Sequence, residues 1–369
     1  MPVYVGSASA QIAGASPQTP ASVVINNSTT ALLAPSNWRA KGANVAFNFS
    51  DGSGNLGAEG GSWVNFSTNY STWWQPQIND AAALGINCLR IWGSPQPVCD
   101  GYMTLAAYLA NWDTVVNYCA TKGIKVYPCG GDMSRWTTAG DSSVISLYDS
   151  WASTLAAHSN VIGVDLTNEV WVKCLPTSDG GDGLSQSAVL TLLGQLKNVV
   201  NAHGLPAANS QGITFGGGGW TLNTYDGASK APFYSMSDFI DVHLYYPWPY
   251  QRTSGTPNGD YMSDIFIDST LGPAVSGKQM FFGEFGCLPT DSTRSTLYPG
   301  INTLIQASSN NLGGCAWSLW DYSYDSQDPT QPDPAWSWGL YKITNWQTTI
   351  TRTLRTDIST QFSSFVTTR

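Results

Sequence analysis

The chain has 369 residues, is 42% hydrophobic and carries a net charge of −9 with only 16 Lys and Arg. So few cations leave no basic stripe to replace phosphate counterions, which excludes nucleic acid and anionic membrane surfaces as partners. No apolar run reaches the ~18 residues of a membrane span; with charged residues at 11% and 16 Trp, the surface is expected to be polar, aromatic and suited to a neutral partner.

Residues 1–36 are rich in Ser, Ala, Thr and Pro and read as an N-terminal arm or linker. Their opening, MPVYVGSASAQIAGASPQTP, lacks the basic start and long apolar stretch of a signal peptide, so a signal has been removed or export takes another route. From Lys41 a new rhythm begins. Short apolar runs occur at ANVAFN (43–48), INCLRIW (86–92), IKVYPC (124–129), VIGVDLTNE (161–169), GITFG (212–216), FIDVHLYY (239–246), QMFFGEFG (279–286) and GGCAWSLW (313–320). Segments of helical period separate them. Leu105, Tyr108, Leu109, Trp112, Val115, Val116 and Cys119 form one stripe that stops at Gly123, and LSQSAVLTLLGQLKNVVNAHG stops at Gly204. STLYPGINTLIQASSNN and ITRTLRTDISTQF are fainter helical patterns.

Eight strand candidates, each followed by helix, predict an α/β fold: a parallel (β/α)8 TIM barrel over residues 37–369 with the arm in front. The rival architecture is an open doubly wound sheet. It would place a GxGxxG loop after the first strand, where NFSDGSGNLG lacks that spacing, and GGGGW lacks the Lys-Ser/Thr of a phosphate loop.

In such a barrel chemistry stands at the C-terminal ends of the strands. The second run ends in Arg90 and Trp92, the fourth in Asn168 and Glu169, the sixth in His243 and Tyr245, the seventh in Glu284, and the eighth in Trp317 and Trp320. The first, third and fifth end more quietly. Each group alone has another reading: Asn168 and Glu169 as a helix cap, Arg90 and Glu284 as a structural ion pair, His243 as a core histidine. Their recurrence at one end of the strands, in a chain poor in charge, points instead to an active site. Two carboxylates across a cleft suit glycosidic bond cleavage, one protonating the leaving oxygen while the other attacks the anomeric carbon or activates water. Arg90 and Tyr245 would keep Glu284 charged, burial beside Val170 and Trp171 would keep Glu169 protonated, and Asn168 would hold the sugar 2-hydroxyl. Tryptophans follow seven of the eight runs: Trp63, Trp73, Trp74, Trp92, Trp136, Trp171, Trp220, Trp248, Trp320, Trp336 and Trp338. Some are expected as platforms for pyranose faces and the others as packing, with Trp112 and Trp151 as helix core.

GINCLRIWG, DLTNE, DVHLYYP, FFGEFG and AWSLW, in that order, resemble the strand-end motifs of clan A glycoside hydrolases, most closely family 5, the cellulase and β-mannanase family. The resemblance covers about residues 41–320 and implies a (β/α)8 barrel that hydrolyses β-glycosidic bonds with retention and without cofactor. It implies Glu169 as acid/base, Glu284 as nucleophile, and Arg90, His243, Tyr245 and Trp317 as substrate-side residues. Val170 replaces the family's usual Pro after Asn-Glu, and the His often ending the third strand is absent from KVYPCGGDM. The expectation is a secreted, extracellular, monomeric endo-β-1,4-glycanase acting on β-linked mannan or glucan polysaccharide or oligosaccharide, with Trp92, Trp171, Trp248 and Trp320 as further sugar contacts. An exo-acting β-glycosidase or transglycosylase and a non-catalytic carbohydrate-binding barrel are the rivals. The seven Cys, odd in number and without CxxC, read as small buried hydrophobes, and the three His are too far apart for a Cys/His metal site.

Overall fold

The computed structural model describes residues 32–45, 63–93, 95–131, 142–179, 181–212, 224–225, 228–245, 275–287, 294–306, 310–321, 331–332, 337–345, 350–363 and 365. Nine short strands form one sheet: β1 (Ala40–Val45), β2 (Cys88–Trp92), β3 (Lys125–Cys129), β4 (Val164–Asp165), β5 (Ala207–Ala208), β6 (Ser210–Gln211), β7 (Ile240–Tyr245), β8 (Met280–Gly286) and β9 (Asn311–Ala316). They pair in parallel in the order β5-β4-β3-β2-β1-β9-β8-β7-β6. Only Asn209 separates β5 from β6, so the two are halves of one stave and the sheet curls into an eight-stave barrel.

That split stave corrects the fifth sequence expectation. The strand lies at residues 207–211, before GITFG, of which 213–216 fall outside the described residues. In a closed sheet the ladder to neighbouring staves decides where a strand sits, and Ala207, Ala208, Ser210 and Gln211 carry no apolar signal strong enough to announce it.

The outer layer includes α1 (Gln75–Ala83), α2 (Leu105–Thr121), α3 (Ser142–Ala156), α4 (Gln186–Ala202), α5 (Ala231–Met236), α6 (Arg294–Gln306) and α7 (Thr356–Ser363). The two strongest sequence helices start and stop as their residues require. Thr104 and Ser185 accept N–H bonds from Ala107 and Ala188, each at 3.2 Å, satisfying donors that the helix start would orphan. Gly123 and Gly204, at φ of 70° and 79°, reverse the chain just past the ends. Tyr108, Trp112, Val115, Val116 and Cys119 turn inward as the stripe predicts.

The C-terminal helix expectation is half right. Thr351–Leu354 (β11) pairs antiparallel with Tyr341–Thr344 (β10), and only Thr356–Ser363 is helical. Thr-Arg-Thr-Leu alternates with period two, and its Arg352 reaches Asp80 at 3.0 Å.

The core has two compartments. A large cluster lies between staves and helices, and a smaller one, including Leu32, Ala40, Cys88, Tyr127, Ile162 and Phe281, fills the barrel at the N-terminal ends of its strands. Leu32 and Leu33 close this lower end by donating N–H bonds to Gln279 Oε1 and Ile162 O. Five of the seven Cys, Cys88, Cys119, Cys129, Cys287 and Cys315, are buried.

Much of the tryptophan content belongs to the outer compartment. Trp63, Trp73 and Trp74, which follow the first run, are helical and fully buried, with Trp63 stacked on Trp112 at 4.6 Å. Trp112 and Trp151 are buried on their helices.

Candidate active site

The opposite end of the barrel is polar. Arg90, on β2, is fully buried and its guanidinium is the hub. Nη1 donates to Glu284 Oε1 at 2.6 Å and to Asn44 Oδ1 at 2.8 Å; Nη2 donates to Asp165 Oδ2 at 2.6 Å, Asn168 Oδ1 at 2.9 Å and Cys129 Sγ at 3.2 Å. A fixed planar fork suits such a cluster, because its two terminal nitrogens reach separate carboxylates on two staves, where a lysine would offer one compact point of charge. Asn44 also donates to Gly283 O at 2.9 Å. Ser210 N–H donates to Asp165 Oδ1 at 3.0 Å.

Glu284 owes its inward direction to a slipped register. Along β8, Phe281 points into the barrel and Phe282 outward, so strict alternation would turn Glu284 toward the helices. The pairing with β7 runs Phe281 to Asp241, Phe282 to Val242, and then Glu284 to His243, leaving Gly283 as one extra residue. This bulge re-aims the carboxylate into the mouth. Gly283 N–H donates to Asp241 Oδ1 at 2.8 Å, and a Cβ on Gly283 would lie 2.2 Å from that oxygen, so only glycine fits. Tyr127 donates its hydroxyl to the other Asp241 oxygen at 2.8 Å.

Glu169 is placed by backbone strain. Its φ of 38° and ψ of 52° are left-handed, a conformation that costs an L-residue about 1–2 kcal/mol. Its N–H donates to Ser210 Oγ at 3.0 Å, which holds it there. His243 Nδ1 shares a hydrogen bond with Glu169 Oε1 at 2.9 Å and lies 3.4 Å from Glu284 Oε2. A ring nitrogen of His243 and one oxygen from each glutamate all lie within 4.8 Å of one another. The glutamate side chains keep 13% and 5% of their surface exposed, the access a substrate needs.

The two carboxylates differ in surroundings. Burial raises the Glu169 carboxyl to about 7, against the opposing charges of Lys230 and Arg90. Burial also lowers His243 to about 4, so the imidazole beside Glu169 is neutral near pH 7. Glu284, by contrast, sits directly on the guanidinium. A carboxyl that holds its proton therefore faces one that is ion-paired, a division suited to a proton donor and a nucleophile. The same three groups resemble a divalent-ion donor set, but the guanidinium already supplies positive charge at Glu284.

A family model described as Cellulase (glycosyl hydrolase family 5) matches residues 44–326. The chain belongs to glycosyl hydrolase family 5. It is a glycoside hydrolase. Its fold is shared with a GH5_18 protein from Streptomyces cattleya in complex with Manβ1-4GlcNAc (TM-score 0.58, 14% identity, covering 81% of this chain and 76% of that one). It is shared also with a GH5-4 broad-specificity endoglucanase from Clostridium longisporum (TM-score 0.57, 15% identity, 89% and 96%). A β-glucosidase mutant derived from a hyperthermophilic tetrameric structure is a third relative in fold (TM-score 0.60, 13% identity, 89% and 94%). No curated protein matches the sequence.

Of the residues that the sequence nominated in this glycosidase, Arg90, Asn168, Glu169, His243 and Glu284 converge. Trp92 and Trp317 pack together at 5.1 Å beside them, Trp92 also facing the Arg90 guanidinium at 5.3 Å. Trp171 and Trp320 are corrections. Trp171 is fully buried with the Lys230 ammonium over its ring, and Trp320 is 1% exposed, bonded to Asp80 and packed on Trp73, so neither indole offers a face to sugar. Tyr245 ends β7, but its side chain, like all of Trp248, lies outside the described residues. Sequence reasoning missed Asn44, Cys129, Asp165, Ser210 and Lys230. For Cys129 the signal was present, since it ends the third run, whereas Asn44 stands near the start of the first run and only the observed end of β1 at Val45 brings it to the mouth.

Proposed function

We propose that this family 5 enzyme is a retaining endo-β-1,4-glycanase acting on neutral β-mannan or β-glucan outside the cell, with Glu284 as nucleophile and Glu169 as acid/base. The observation that carries the retaining reading is the closeness of the glutamates. One oxygen of each lies within 4.8 Å of the other, beside the ~5–5.5 Å carboxyl spacing of direct attack and well short of the ~6.5–9.5 Å that leaves room for an intervening water. Glu284 attacks the anomeric carbon while Glu169 gives its proton to the glycosidic oxygen, and the leaving chain departs. Glu169, now ionised, takes a proton from water as that water displaces Glu284 from the sugar. Arg90 holds Glu284 in line throughout, and Asn168, itself fixed by Arg90, is placed to bond the sugar 2-hydroxyl. A net charge of −9 with few cations favours an uncharged glycan. The cellulase description of the matching family favours internal cleavage of a polymer. Intact Glu169 and Glu284 within one hydrogen-bonded network disfavour a binding-only barrel.

The test is reducing-end release from β-mannan, carboxymethylcellulose, mixed-linkage β-glucan and xylan, with Glu284→Gln alongside. Oligomers of several lengths from one polymer, lost in the variant, support the reading. A single mono- or disaccharide product would replace it with exo action, and binding without cleavage would sink it.

A further inference from the structure

Lys230 is fully buried at the start of α5, in a chain with few cations. Its Nζ donates to Gly212 O at 2.6 Å and sits 3.9 Å from the centre of the Trp171 ring. Both partners lead to Glu169. Gly212 follows β6 and lies so close that a Cβ there would be 2.0 Å from Glu169 Oε1, while Trp171 belongs to the helical turn that Glu169 begins. One ammonium thus ties together the end of a stave, the turn behind the acid/base and the start of a helix. A neutral side chain could brace the same pieces without the cost of burying a charge, so the charge itself needs a reason.

We propose that Lys230 is a positioning residue for the acid/base, seating the Gly212 backbone against Glu169 and, through its charge, governing when Glu169 holds its proton. The inference rests on the reading of Glu169 as acid/base. Glu169 is faced by Lys230, Arg90 and His243 and by the carboxylates of Asp165 and Glu284. Burial pushes the Lys230 amine down to about 7, with Glu169 opposing, so lysine and glutamate lose their protons in the same pH range and each feels the other's charge. An ammonium favours the ionised glutamate. Removing it therefore strengthens Glu169's hold on its proton.

The experiment follows kcat/KM against pH for Lys230→Met and Lys230→Arg on two aryl glycosides. One has a dinitrophenolate leaving group that needs no proton, and the other a poor leaving group that does. In Lys230→Met the alkaline limb on the poor leaving group is expected to move up by about one pH unit. Lys230→Arg, whose charge does not titrate in this range, is expected to hold the limb at or below its wild-type position, and the ratio between substrates removes any loss of active fraction. A limb that stays in place while only Tm falls would reduce Lys230 to a structural brace. A second arm leaves Lys230 intact and needs no turnover, so it reports even if the variants do not fold or the enzyme proves inactive on glycosides. In 15N-lysine-labelled protein, Glu169→Gln is expected to lower the Lys230 Nζ midpoint by about one unit and leave unmoved that of Lys278, whose Nζ donates instead to Tyr234 O and Ser237 O. Unchanged midpoints for every lysine would overturn the proposal.

Discussion

At the lower end of the barrel Ala40, Cys88, Tyr127 and Phe281 fill the interior with mostly apolar groups. Further along the same strands, Asn44, Arg90, Cys129 and Glu284 fill it with hydrogen bonds. The staves are shared, and on all but the bulged β8 the side-chain period is shared too, so the difference lies in how each layer answers a loss. In the lower layer every contact is one of many, and a missing ring costs its own burial. In the upper layer one guanidinium serves five partners, and its removal strands buried charge.

Substitutions can break this contrast. The largest effect expected is on turnover: Glu284→Gln should lower kcat on the order of 10⁴-fold or more while the protein stays folded, measured by reducing-end release and circular dichroism. Arg90→Met should abolish activity and also destabilise by ~3–5 kcal/mol in denaturant titration, because Asp165 and Glu284 stay buried without the guanidinium. Phe281→Ala, in the lower layer, should cost a similar ~3–5 kcal/mol yet leave kcat/KM of the folded fraction unchanged. If its kcat/KM collapses too, the layers are not independent. A smaller effect follows from pH: as Glu169 loses its proton above about 7, kcat/KM should fall by about tenfold per unit, and a flat profile to pH 9 would count against Glu169 as the acid. The smallest is Ser210→Ala, which removes the acceptor for the Glu169 N–H and should cost about 1 kcal/mol with a modest drop in kcat.

The strand-to-helix rhythm made the barrel legible, and Arg90, Asn168, Glu169, His243 and Glu284 were legible because ionisable groups are rare here and end apolar runs. Asp165 was hidden inside such a run, where one polar residue between Val164 and Leu166 looks incidental. Its role emerges only when β2 brings Arg90 beside it. Lys230 was invisible for another reason: it comes from the start of a helix, distant in sequence from every rim residue it serves. Composition misled on Trp171 and Trp320, because an indole count says nothing about which way a ring faces. The split fifth stave escaped because small and polar residues were held in place by neighbouring strands.

Gly283 gives the barrel a vulnerability of an unusual kind. Most proteins tolerate exchange of a residue better at their surface than at their centre, but here the sensitive quantity is the register of one strand. If β8 took Gly283 into a regular ladder, that glycine would pair with His243 and the same glutamate, one place further on, would face the helices. The more ideal ladder would be the catalytically blank one.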